Sequence, residues 1–420
     1  NFSGIRAEVT YFKGLMDKLG LEAEIIATGE YKTAGEIVTN EEMSDADREQ
    51  INDLLDDFYG KITIDLAQDR NVKVSQMVFT IDQGPFMPQE ALSKRLIDGL
   101  FYRNQLDEEL RRLTSNFSGI ISSSFYEKTK PEEEIWGPKP AIAVVYATGE
   151  LKSGKSSSIG IFSSGSCGSE TLSNSIISAA DNPSVKAIVL RVDSPGGELT
   201  ASDIILNSIE QAKLRKPVIV SMGDVAASGG YYISCNADKI FAEHSTITGS
   251  IGVIAGKLVM KGLYDKIGLK KEIITRGKNA TFFSTYKHST EAQQEKANSQ
   301  VAEYYENFIE KVSTGRYLSI EMVDSLARGR VWSGLKAVEN GLVDQLGGLS
   351  DAINEAKMMM NIEGDCDILI YPKYNFFFSP NDLIKSDFTI AVEALGLSSL
   401  PEAIPSTGYH YIMPYRIDIK

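Results

Sequence analysis

Pro217-Val218-Ile219-Val220-Ser221-Met222-Gly223-Asp224-Val225-Ala226-Ala227-Ser228-Gly229-Gly230-Tyr231-Tyr232 joins an apolar run to a segment of small and aromatic residues. The run Pro217–Met222 reads as a buried strand, and Ala226–Cys235 as a helix that follows it. A serine at a strand-to-helix turn exposes its hydroxyl and has outward-facing backbone N–H groups after it. Gly229 and Gly230, directly after Ser228, let another chain approach closely. Ser228 therefore has two readings at this point, a nucleophile or a serine that caps a helix start.

The residues on either side set the fold class. Ala141–Tyr146 and Ala187–Val192 are two more apolar runs of strand length, and Thr171–Ala180 and Thr200–Lys213 read as helices between strands. Strands alternating with helices give right-handed βαβ units and a mostly parallel sheet, with ligand sites at the carboxyl ends of the strands. Ser228 and the turn Asp193-Ser194-Pro195-Gly196-Gly197 both fall at such ends. Ser153–Ser169 is a Gly/Ser-rich loop. Nearer the N-terminus, residues 7–20 read as a helix ending at Gly20, Glu22–Thr28 as a strand and Gly29–Gly35 as a turn. A long helix over Met43–Asp69 is capped by Ser44-Asp45, and two short helices flank Gly84-Pro85. Residues 113–138 read as a linker.

Composition narrows the class. The chain has 420 residues, enough for two domains, and its 42% hydrophobic and 24% charged residues suit a globular protein. A formal charge of −14 argues against a nucleic-acid surface, which needs basic patches. Cys167, Cys235 and Cys366 are too scattered for a zinc pattern or a disulfide framework. No apolar run approaches the roughly 18 residues of a membrane helix.

The chain also contains a repeat. Lys13-Gly14-Leu15-Met16-Asp17-Lys18-Leu19-Gly20-Leu21 returns 248 positions later as Lys261-Gly262-Leu263-Tyr264-Asp265-Lys266-Ile267-Gly268-Leu269. At the same spacing Glu24-Ile25-Ile26 meets Glu272-Ile273-Ile274. Residues 1–112 thus read as the later part of a first copy that begins partway through, and 139–373 as a fuller second copy with an extension over 374–420. At this spacing Lys32 meets Ala280, while no residue of the chain stands opposite Ser228. Each copy then offers a group that the other lacks. Lys32 reads either as half of a composite site or as a solvated loop lysine.

A nucleophilic serine needs a base. His244, His288 and His410 lie in no recognisable partner motif, although triad partners need not be close in sequence. A lysine serves as base when burial keeps it neutral near working pH. The oxyanion needs two preorganised donors, for which the N–H of Gly229 and one of the Gly196-Gly197 pair are candidates.

Taken together, Arg191–Gly197, Ala226–Tyr232, Thr248-Gly249-Ser250-Ile251-Gly252-Val253, Gly29-Glu30-Tyr31-Lys32-Thr33-Ala34 and Gly329-Arg330-Val331-Trp332-Ser333-Gly334 resemble the signal peptide peptidase A (protease IV) family in its tandem-repeat form. The resemblance implies an α/β fold of Clp protease/crotonase-like repeated units, in tandem domains. It implies a serine protease whose Ser/Lys dyad is split between repeats, with Ser228 as nucleophile and Lys32 as general base. Ser250 would orient the lysine, and Gly197 and Gly229 would bind the oxyanion, with Gly196 as the alternative. Ser250 could otherwise be a plain turn serine. No metal or organic cofactor is implied. Substrates would be cleaved signal peptides and other short hydrophobic peptides. The resemblance also implies a homotetramer held to the bacterial cytoplasmic membrane by an N-terminal anchor, with its catalytic part facing the periplasm. Two other classes fit the superfamily, a non-proteolytic scaffold and a crotonase-like acyl-CoA enzyme.

Overall fold

The computed structural model describes residues 3–114, 121, 125–126, 139–157, 165–372 and the backbone of 408–412. The expected linker and C-terminal extension fall mostly outside the described residues. Two compact units are present, one from Ala7–Phe58 with Pro140–Asp418, the other chiefly from Tyr59–Lys139. The lysine-bearing segment thus lies in the same unit as the serine-bearing one.

In the larger unit the strands are β1 (Glu22–Ala27), β2 (Ala141–Thr148), β3 (Glu150–Lys152), β4 (Ser166–Gly168), β5 (Val185–Ser194), β6 (Gly196–Glu198) and β7 (Val218–Ala227). They continue with β8 (Lys239–Ala242), β9 (Ile247–Gly249), β10 (Ile254–Val259), β11 (Val331–Ser333), β12 (Gln345–Leu346), β13 (Asp367–Tyr371) and β14 (Gly408–Ile412). The main sheet runs β11-β9-β7-β5-β2-β13, with β8 also on β7 and β12 on β8. Its pairs are parallel except for β11 with β9.

The central strands are apolar throughout because both faces are covered. Ala141, Ala143, Val145, Ile188 and Leu190 pack in one core with the helices Ser169–Asp181 and Leu199–Lys213. Ile142, Val144, Ala187 and Val189 face the helix Leu349–Met359 through Ala352 and Ala356.

β7 is longer than the apolar run suggested, and the helix after it is shorter. The strand continues through Gly223-Asp224 by changing partners. Ile219–Ser221 pairs with β8, whereas Val225–Ala227 pairs with β9. The register against β5 shifts at the same place. Ala226 and Ala227 are thereby held in the sheet, and only Gly229–Tyr232 is helical.

A second sheet runs β1-β10-β14-β6-β3-β4. Here β1 pairs antiparallel with β10, from Glu22↔Val259 to Ala27↔Ile254. Residues 408–412 lie antiparallel to both β10 and β6.

The repeat is visible in the helices. Asp45–Asp69 has 25 residues and its counterpart Glu291–Arg316 has 26. Val74–Ile81 likewise corresponds to Ile320–Leu326, and Pro88–Ser93 to Gly334–Glu339. The strands break the symmetry. Glu22–Ala27 is a strand, but Glu272–Gly277 is not, and Ile274 is exposed. Both edges of β10 are already occupied, by β1 and β14, which leaves that stretch no strand to join there. In the smaller unit Ala67, Met77 and Ile81 form their own apolar cluster with Tyr59, Leu66, Val72 and Leu96.

Ile188→Ala in the fully buried centre of β5 is expected to cost about 2–5 kcal/mol in urea unfolding. Leu214→Ala, at a site 79% exposed, should stay within roughly 0.5 kcal/mol of the parent.

Candidate active site

Ser228 sits where β7 ends, with φ 55° and ψ −114°. A left-handed φ at a residue with a Cβ costs on the order of 1–3 kcal/mol and needs support from its surroundings. Part of that support is the Ser228 N–H, which donates to the Gly249 carbonyl at 2.8 Å. The hydroxyl makes no capping bond to the short helix that follows. Ser250 leaves β9 as Ser228 leaves β7, and it too has positive φ, 50°. Because β7 and β9 are parallel neighbours, paired at Ala227↔Gly249, the two serines emerge side by side.

Lys32 arrives from the other sheet. The pairing of β1 with β10 carries the chain to Thr28, whose N–H donates to Val253 O at 2.9 Å while its Oγ1 accepts from the Val253 N–H at 3.0 Å. From there Gly29–Tyr31 turns the lysine inward. Its Nζ lies 2.7 Å from Ser228 Oγ, 2.9 Å from Ser250 Oγ and 2.9 Å from the Ser250 carbonyl. Lys32 is 3% exposed, and both serines are fully buried.

Burial holds this amine well below the ordinary lysine value of 10.5, and no carboxylate offsets the effect. A neutral amine has two N–H donors and one lone pair. Three neighbours match that inventory. In that form both N–H groups can go to the oxygens of Ser250, with the lone pair toward the Ser228 hydroxyl.

Glycines make room around the lysine. A Cβ on Gly329, whose φ is +82°, would stand 2.4 Å from Lys32 N. A Cβ on Gly252 would stand 3.2 Å from Lys32 Cδ. On the other side of Ser228, a Cβ on Gly229 would stand 3.1 Å from Gly196 Cα and 3.2 Å from Gly197 N, so the two glycine turns meet. The Gly196 N–H is taken by Ser194 Oγ at 3.2 Å, and that hydroxyl in turn donates to Gly149 O at 2.7 Å. Gly229 stands in the first helical turn, where N–H groups have no intrahelical acceptor. His288 is bound to Glu24 at 2.9 Å.

A model of peptidase family S49 matches residues 1–116 and 210–363. The chain belongs to peptidase family S49. It is 31% identical over 86% of its length to "Serine protease SPPA, chloroplastic" of Arabidopsis thaliana, covering 54% of that protein. It is 32% identical to "Protease 4" of Haemophilus influenzae, over 86% of this chain and 60% of the relative. "Putative signal peptide peptidase SppA" of Enterococcus faecium is 34% identical over 55% of this chain and 70% of that one. The chain therefore spans about half to three-fifths of the length of the first two relatives. Among solved structures, a ClpP1 point mutant from Listeria monocytogenes aligns with a TM-score of 0.33 at 16% identity, over 50% of this chain and 94% of that one.

In this S49 chain Ser228, Lys32, Ser250 and Gly229 stand together, beside Gly196 and Gly197. The sequence reading missed the framework around Lys32. Thr33 Oγ1 donates to the buried Asp47 at 2.7 Å, and Gln50 Nε2 donates to Thr33 Oγ1 at 3.0 Å and to Tyr31 O at 3.3 Å. Asp47 and Gln50 lie on the long amphipathic helix as ordinary polar positions, with no signal to single them out. The Ser250 carbonyl was also missed, since a backbone acceptor leaves no mark in residue type. Among the described residues no cluster of His, Cys, Asp or Glu is arranged to hold a metal.

A buried neutral lysine leaves a signature in stability. Between its lowered value and 10.5 the unfolded chain binds the proton and the folded chain does not, so stability climbs with pH across that window. The parent should show this climb in urea unfolding at successive pH values, and Lys32→Met should lose it.

Proposed function

We propose that this S49 chain carries a serine endopeptidase site in which Ser228 is the nucleophile and Lys32 its general base. The observation that carries the reading is the 2.7 Å approach of a buried amine to the Ser228 hydroxyl, with Ser250 engaging the other two positions on the nitrogen. Lys32 takes the Ser228 proton as Oγ attacks the scissile carbonyl. The N–H groups of Gly197 and Gly229 receive the oxyanion, with Gly196, whose N–H also donates to Ser194 Oγ, as the alternative. The lysine ammonium then protonates the leaving amine. In the second half-reaction Lys32 takes a proton from the water that attacks the acyl group and returns it to Ser228 Oγ as that oxygen leaves. A non-proteolytic scaffold has no use for a desolvated lysine pointed at a serine. An acyl-CoA enzyme that only polarises a thioester carbonyl needs neither group.

The substrates in this reading are cleaved signal peptides and other short hydrophobic peptides, bound as extended chains. Residues 408–412 illustrate the mode, because they lie as an antiparallel strand on Gly196–Glu198, beside the proposed oxyanion donors. A substrate main chain would take that place. Association into a homotetramer and attachment to a bacterial membrane, with the site on the periplasmic side, belong to the same reading. Among the described residues no helix is long and apolar enough to cross a membrane.

Ser228→Ala and Lys32→Ala are each expected to lower kcat/KM for a fluorogenic hydrophobic peptide by about 1,000-fold or more, with the circular dichroism spectrum unchanged. The double variant should be no worse than either single one, because the pair acts as a unit. Normal activity in Lys32→Ala would end the split-dyad reading. In the parent, activity should rise with pH as Lys32 loses its proton, at pH values below the ordinary lysine range.

A chain ending before Gly408 leaves β6 and β10 with open edges and should show a lower KM for the same peptide. An unchanged KM would mean that peptides bind elsewhere.

A further inference from the structure

Three consecutive residues meet the pieces of the lysine pocket. The Arg328 carbonyl accepts the Tyr31 N–H at 3.0 Å, the Gly329 N–H donates to Ile251 O at 2.9 Å, and the Arg330 carbonyl accepts the Ser250 N–H at 2.7 Å. Arg330 also reaches across with its side chain. Its guanidinium carbon lies 4.6 Å from the centre of the Tyr31 ring and 4.8 Å from that of Trp332. Nη1 pairs with Glu49 at 2.9 Å, Nη2 with Asp53, and the Tyr31 hydroxyl donates to Glu49 at 3.1 Å. The Arg330 Nε is buried with no hydrogen-bond partner, so the two rings and two carboxylates hold the group.

We propose that Arg330 is a positioning residue for Lys32, clamping the adjacent Tyr31 with its guanidinium while its carbonyl holds Ser250. One residue thereby fixes both the approach of the lysine and the group that takes up its N–H donors. The inference rests on the Ser228/Lys32 reading. Arg330 touches no reacting atom, and burial accounts for the lowered lysine without a contribution from the arginine charge. Its effect is geometric. Stacking between two rings needs the flat guanidinium, which lysine cannot supply.

The test is the pH dependence of kcat and KM for the full chain with a fluorogenic hydrophobic peptide, in the parent, Arg330→Ala, Arg330→Lys and Tyr31→Leu. Arg330→Ala is expected to lower kcat at least about tenfold with KM within about twofold, since small misplacements of a catalytic group are costly. The acidic limb of its profile should move to higher pH, because a loosened Lys32 is less well desolvated. Arg330→Lys should share the defect. Glu49 and Asp53 are about half exposed, so losing their partner should cost the fold little. Should Arg330→Ala nevertheless fail to fold, Tyr31→Leu removes the clamped ring and should show the same shifted limb. The inference is overturned if the folded variants keep the parent's limb, or if Arg330→Lys restores both rate and limb. Loss of activity in Ser228→Ala with an unshifted profile in Arg330→Ala would sink this inference alone, while retained activity in Lys32→Ala would sink the dyad.

Discussion

The central constraint is a lysine amine held out of water. Desolvating an ammonium is expensive, so burial pushes the amine toward its neutral form. Neutrality then dictates the surroundings. Two acceptors and one donor must face the nitrogen, none of them charged, and Ser250 and Ser228 meet that demand. Much of the surrounding geometry follows from it: two parallel strands ending together, two serines at left-handed φ, and glycines where the lysine backbone passes.

The two sheets divide the work. The parallel sheet, packed on both faces, fixes Ser228 and Ser250 to within hydrogen-bonding reach of one point. The mixed sheet delivers Lys32 to that point through the β1–β10 ladder. Its inner strand β6, between β14 and β3, brings the glycine turn to the opposite side of Ser228. A rigid frame of this kind suits chemistry that depends on proton transfer across a short, unvarying distance.

Much of the parallel sheet was legible in the sequence, because its strands are continuous apolar runs broken by amphipathic helices. Ser228 and Gly229 were legible as a strand-to-helix turn. Lys32 became visible through the repeat, which placed Ala280 opposite it, and through the motif Gly29–Ala34 around it. The rest was hidden for physical reasons. Gly223-Asp224 has the composition of a turn, yet pairing with β9 keeps it within a strand. Glu272-Ile273-Ile274 looks like Glu24-Ile25-Ile26, yet strand formation depends on a free neighbouring edge, which residue type does not encode. The Asp47, Gln50 and Arg330 contacts arise only where distant segments meet.

The ladder between β1 and β10 also sets a timetable. Lys32 and Ser228 are 196 positions apart, and Gly329, whose backbone lies against Lys32, comes about 100 positions later still. At ribosomal rates of about 5–20 residues per second, on the order of tens of seconds pass between making the lysine and making the segment that seats it. Until the late segments emerge, the pocket that buries Lys32 is incomplete. The close approach of Lys32 to Ser228 therefore comes last, with the closing of contacts between segments made far apart in time.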